Sequence, residues 1–360
     1  MTEIGVRKSV RSLKFKLTFA VITILVTLGC CEMALRLAGF APLYQYGEWK
    51  VKLDDEVLFR IVPKSGPEIN NYGYRDRDFG AKQGGKYRIA FIGDSFVMGH
   101  NVKIDQTLPS VLQKRLGEQY EVFNMGIYGY GPDQQLMRFK KEGKELQPDL
   151  VLLGSFPFND FGDLYKNQLY KFDDKHNLVA NPNNPVVRAL RRSSTVMLAR
   201  SAFRGRFLDE ESEDELTGRL FVDIPFHLKQ QSTQTLKESV ELMQSVLAEF
   251  RNETVKQNAK IAVVIIPSFE GIKDPKWFTD RKLWFEDFFF NEKVVSQICT
   301  QLKVASLDLS PIFANRSSEP FYDLEEHHLS PTGVEAAVDL IVPFLKESGL
   351  LRAEGKASAK

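Results

Sequence analysis

Cysteine is scarce in this 360-residue chain. Cys30 and Cys31 sit side by side in an apolar run and Cys299 stands alone. That spacing implies neither a disulfide framework nor a zinc site. An excess of charge is missing too, since 48 basic residues meet 47 acidic ones. The electrostatic footprint of a nucleic-acid binder is therefore absent. No internal repeat appears, and the length allows one large domain or two with a sizeable core.

One stretch lacks charge altogether. LTFAVITILVTLGCC, residues 17–31, follows Arg7, Lys8, Arg11, Lys14 and Lys16. At ~1.5 Å per residue that run reaches about 22 Å, short of the ~30 Å hydrocarbon core. Continuing through EMALRLAGF gives a spanning length, with Glu32 and Arg36 near the outer interface. The basic flank should stay in the cytoplasm and send the remaining chain outside. No A-x-A-like site follows, which favours a retained anchor over a cleaved signal peptide. Leu28-Gly29-Cys30 has the form of a lipoprotein signal, except that Thr27 stands where an apolar residue is usual. The expected plan is a cytoplasmic flank (1–16), a transmembrane signal anchor (17–40) and an irregular linker rich in Gly, Pro and polar residues (41–86). A folded domain (87–348) and a flexible tail (349–360) follow.

Within the domain an α/β rhythm recurs. Strand-like runs are YRIAFI (87–92), YEVFN (120–124), DLVLLG (149–154), KIAVVII (260–266) and KVASLDL (303–309). Helical patterns fall around 105–117 and 235–257, the second with Thr235 and Glu238 spaced as a capping box. Strands alternating with helices predict a parallel sheet covered on both faces. Residues 160–231 break the rhythm and read as an insertion, with a basic segment from Arg188 to Arg206 and the acidic run DEESEDE at 209–215. WFTDRKLWFEDFFF (277–290) is dense in aromatics and reads as a packed helix.

The chemistry is concentrated at strand ends. Gly93-Asp94-Ser95 closes the first strand, where open α/β sheets bind ligands. Acyl transfer needs a nucleophile, a base, a group orienting that base, and donors for the oxyanion. After the second strand comes NMGIYGYG, whose Gly126, Gly129 and Gly131 let backbone N–H groups approach a ligand. After the third, Asn159 can aim an amide N–H into the same crevice. Near the C-terminus, YDLEEHHLSPTG puts His327 and His328 just before a helix whose N-cap and first turn are Ser330 and Pro331. Asp323, Glu325 and Glu326 precede them. Val97 rules out the G-x-S-x-G elbow of α/β-hydrolases, and Asp94 reads as a turn residue capping local N–H groups.

These blocks resemble the GDSL-type hydrolases of the SGNH superfamily: IGDSFVMG (92–99), VFNMGIYGYG (122–131), FND (158–160) and HLSPTG (328–333), in the family's order. NNYGYRDRDF (70–79), PDLVLLG (148–154), LDLSPIF (307–313) and EMALRLAG (32–39) further resemble membrane-anchored bacterial members. The resemblance implies a flavodoxin-like three-layer α/β/α sandwich, the SGNH hydrolase fold, behind one N-terminal transmembrane helix. It implies Ser95 as nucleophile, His328 as base with His327 the fallback, and an oxyanion hole from Ser95, Gly129 and Asn159, with Gly126 the weaker choice. The family's acid stands three residues before the His, which here is Glu325; Asp323 is the other candidate, and a Ser–His dyad assisted by a backbone carbonyl is the third arrangement. No metal or organic cofactor is implied. The expected activity is a serine esterase removing O-acyl groups, above all O-acetyl, from an envelope or exported glycan on the periplasmic side. The same site would also serve an O-acyltransferase, and a non-catalytic, membrane-tethered glycan-binding protein is the alternative of another class. Partners are then an acylated carbohydrate or other ester and the membrane, with no nucleic acid.

Overall fold

A computed structural model of the chain describes residues 3–38, 43–46, 49–54, 56–181, 193–196, 198, 231–273 and 288–352. Five strands make the central sheet: β4 (Tyr87–Gly93), β5 (Tyr120–Gly126), β6 (Leu150–Ser155), β9 (Lys260–Ile265) and β10 (Ala305–Asp308). They pair in the order β10-β9-β6-β4-β5, every pair parallel. Counted along the chain this is 2-1-3-4-5, the flavodoxin-like doubly wound order, whose switch point lies between β4 and β6. The α/β/α sandwich expected from the sequence is what the chain adopts.

Side chains alternate across the strands, as period 2 requires. Ala90, Ile92, Phe123, Met125, Val151, Leu153, Val263 and Ile265 face one layer. Ile89, Phe91, Val122, Leu150, Leu152, Ala262 and Val264 face the other. The first layer holds α4 (Pro132–Leu146), α6 (Thr233–Lys256) and α8 (Phe290–Leu302), which contribute Phe139, Phe250 and Ile298. The second holds α3 (Leu108–Leu116), α9 (Ser310–Asn315) and α10 (Pro331–Glu347), through Leu112, Phe313 and Ile341. Each such side chain, fully buried, contributes about 1.5–3 kcal/mol.

Three expectations need correction. The described residues between 43 and 61 are not an irregular linker but the antiparallel strands β1 (Leu43–Tyr46), β2 (Trp49–Asp54) and β3 (Leu58–Ile61). Val51, Phe59 and Ile61 bury their inner face in the first layer's core. Ser232, not Thr235, begins α6: its side chain accepts from the Thr235 N–H. The tail does not begin at 349, because Leu350 and Leu351 are buried and Tyr87 Oη donates to the Leu350 carbonyl at 2.6 Å.

Of the insertion, α5 (Pro157–Asn167) and the hairpin of β7 (Tyr170–Phe172) and β8 (Leu178–Ala180) are described. The acidic run, most of the basic segment and residues 277–287 lie outside the described residues. The N-terminal helix α1 runs from Glu3 to Leu37, and its apolar span Leu13–Leu37 has 25 residues, none buried against the protein. At ~1.5 Å per residue that span exceeds a bilayer core.

Candidate active site

β4 ends at Gly93, and Asp94 caps the single-turn helix α2 (Ser95–Met98) by accepting the Phe96 N–H at 3.0 Å. Ser95 is therefore the first residue of that turn, at the switch point, and is 2 % exposed. The turn presses directly on β5. A Cβ at Gly126 would lie 2.2 Å from Met98 N and 2.7 Å from Val97 C, so only glycine fits there. Gly126 is not the better oxyanion donor, since its N–H goes to Asn124 Oδ1 at 3.0 Å. Gly129 holds φ +70° in a turn closed by the Tyr130 N–H on the Ile127 carbonyl. That is the glycine position of a tight turn.

From β6 the chain enters α5 through Pro157, and Asn159 is its third residue, 1 % exposed. Two bonds fix this entry: Asn291 Nδ2 donates to the Pro157 carbonyl at 3.0 Å, and Ser155 Oγ donates to Asp160 Oδ2 at 2.6 Å. The loop before α10 carries the histidine that meets Ser95. Ser330 caps α10 by accepting the Gly333 N–H, and an isolated bridge pairs Tyr322 with Leu329. His328 is thereby turned inward, 7 % exposed, with Nε2 at 2.8 Å from Ser95 Oγ.

Its other nitrogen defines the tautomer. Nδ1 lies 2.6 Å from the backbone oxygen of Glu326. A carbonyl oxygen only accepts, so Nδ1 carries the proton and Nε2 offers its lone pair to the serine hydroxyl. This corrects the expectation of a carboxylate partner. Glu325 is exposed. Asp323 spends its Oδ1 on the N–H groups of Glu325 and Glu326, at 2.9 and 2.8 Å, which hold its carboxyl below the ordinary range. The aspartate shapes the loop that presents the carbonyl. His327 is turned elsewhere, stacked on Phe269 at 4.0 Å with Nδ1 2.9 Å from Glu270 Oε1.

Aromatic rings enclose His328. Phe96 lies at 4.6 Å, His100 at 4.4 Å and nearly perpendicular, and Tyr128 at 6.4 Å between centroids. His100 has no place in the sequence-based site, although it stands five residues after the serine. Burial first, then the Arg75 charge, push its pKa down to about 4, so the ring is neutral at pH 7. Arg75 is itself buried, bonded to the Gly99 and Val102 carbonyls and to Glu68. His100 Nε2 meets Glu326 Oε2 at 3.4 Å, and Asn101 Nδ2 donates to the Leu329 carbonyl at 3.1 Å. The end of α2 and the histidine loop are thus stitched together. A serine hydroxyl facing an imidazole lone pair at a sheet switch point can attack an ester carbonyl.

No family model matches the chain, and no curated protein matches it. Solved structures do resemble it. A lipase/acylhydrolase from Enterococcus faecalis is 14% identical, with TM-score 0.41 over 73% of this chain and 96% of its own. A G-D-S-L-family lipolytic protein from Desulfitobacterium hafniense is 13% identical, with TM-score 0.40 over 72% and 100%. An acetyl xylan esterase is 13% identical, with TM-score 0.40 over 71% and 98%. At this distance the likeness is remote, and the chemistry is read from the chain's own atoms.

Proposed function

We propose that the chain is an SGNH-type serine esterase that works as a Ser–His dyad. One observation carries this: His328 Nε2 lies 2.8 Å from Ser95 Oγ while Nδ1 is held by the Glu326 carbonyl at 2.6 Å. Ser95 Oγ attacks the ester carbonyl as its proton passes to His328 Nε2. The oxyanion is taken by the N–H groups of Ser95 and Gly129 and the Asn159 amide. His328 then protonates the leaving alkoxide, and water releases the acid from the acyl-enzyme.

The acyl group is small, an acetyl in the first instance, because the serine is buried and the imidazole it faces is packed among the rings of Phe96, His100 and Tyr128. The alcohol is a hydroxyl of an envelope or exported glycan, the acylated polymer within reach of a domain held outside the membrane by α1. A fluorophosphonate probe should label one peptide, the one containing Ser95, and Ser95→Ala should take no label. A label on any other serine overturns the proposal. For the topology, a periplasm-active reporter fused after residue 60 should be active; activity from a cytoplasm-specific reporter alone would reverse the orientation.

A further inference from the structure

Acyl transfer leaves two side chains at the mouth of the site without a task. His100 and Glu326 stand beside His328, each of the three offers one ligand atom, and those atoms lie within 4.8 Å of one another. His100 Nε2 and Glu326 Oε2 are 3.4 Å apart. Tetrahedral zinc, with bonds of ~2.0–2.2 Å, spaces neighbouring ligand atoms about 3.4 Å apart. That pair already has the spacing, and a ring nitrogen of His328 lies within 4.8 Å of both.

Two further features fit a metal. A ligating imidazole usually donates its second N–H to a carboxylate or carbonyl, which fixes the ring. His328 Nδ1 is held in that way by the Glu326 carbonyl. The approach is also open on one side: the Glu326 side chain is 59% exposed, the His100 side chain 10%. Two imidazoles and a carboxylate suit a borderline dication and not a hard one, since Mg²⁺ and Ca²⁺ require oxygen ligands.

We propose that His100, Glu326 and His328 form a capture site for a transition-metal dication of the Zn²⁺ or Cu²⁺ class, and that capture silences the esterase. The lone pair on His328 Nε2 that accepts the Ser95 proton is then donated to the metal. No covalent bond changes, so removing the ion restores the base. The silencing rests on the proposed esterase function; the binding does not.

The test uses the full chain in detergent, stripped with a chelator. Calorimetry with ZnCl₂ should show one ion per chain, and MgCl₂ should give no binding. Glu326→Gln and His100→Asn should each weaken zinc by about 100-fold or more, since disturbing even an outer-shell partner of a metal ligand costs about 10–100-fold. Turnover of p-nitrophenyl acetate, scaled to each variant's own metal-free rate, should fall as zinc fills the site and return with EDTA. Equal zinc affinity in wild type and both variants overturns the site, and full turnover in zinc-saturated wild type overturns the silencing. A chain inactive without metal fails the esterase reading instead, while calorimetry still decides the capture.

Discussion

Asp323 and Glu325 sit two residues apart and should answer differently to substitution. Glu325 is exposed, so Glu325→Gln should leave ester turnover within a few-fold of wild type. Asp323→Ala frees the N–H groups of Glu325 and Glu326, which lets the Glu326 carbonyl drift from His328 Nδ1. Turnover should then fall by about 10-fold or more, since a misplacement of ~1 Å in a catalytic group costs up to 10²-fold. Asp323→Asn, which keeps one acceptor oxygen, should fall between the two. A Glu325→Gln defect larger than that of Asp323→Ala would return the carboxylate to His328. Ser95 and His328, which the fold brings to 2.8 Å, are legible in the sequence because a hydroxyl at a strand end and an imidazole before a helix are particular residue types in particular places. Which group meets Nδ1 is left open in the sequence, among Glu325, Asp323 and a backbone carbonyl, because every residue owns a carbonyl. His100 carried one signal, an imidazole five residues beyond Ser95, which a one-turn helix folds back onto His328.

The element α2 is only one turn long, so its position depends on what lies beneath it. Gly126→Ala would drive a methyl into Met98 N and Val97 C. Backbone cannot rotate away as a side chain can, so overpacking should cost about 1–3 kcal/mol. Thermal unfolding should show a Tm lower by several degrees, with turnover reduced further as Ser95 is lifted; an unchanged Tm would mean that β5 and α2 separate freely. The strands of the central sheet are legible because both faces are covered and the runs are nearly all apolar. The strands between 43 and 61 are obscured by their surroundings. WKVKLD does alternate as a half-buried strand, but it is short and set among glycine and polar residues whose composition suggests a linker.

At the scale of the whole molecule, two carboxyls make folding sensitive to pH. Burial raises Asp76 and Asp133 from an ordinary 3.8 to about 6. Asp76 receives the Asn124 N–H at 2.8 Å, and Asp133 the Gln134 N–H at 2.9 Å and Asn167 Nδ2 at 3.0 Å. Both hold their protons in the folded state at pH values where the unfolded chain has released them. Their contribution to stability is full below about pH 4 and is lost as pH rises through 6. Asp133→Asn, which keeps an acceptor and cannot ionise, should shrink the difference in urea midpoint between pH 5 and pH 7. An identical difference in wild type and variant would show that Asp133 does not titrate in this window.

The carbonyl behind His328 has a consequence for how the protein can vary. A side-chain acid is encoded by one codon and can be lost by a single base change, whereas a main-chain oxygen is present whichever amino acid the codon at 326 specifies. A saturation library selected for ester cleavage should therefore tolerate many residues at 325 and 326 and almost none at 95 and 328. Lineages carrying this arrangement are free to drift at the acid positions without passing through an inactive intermediate.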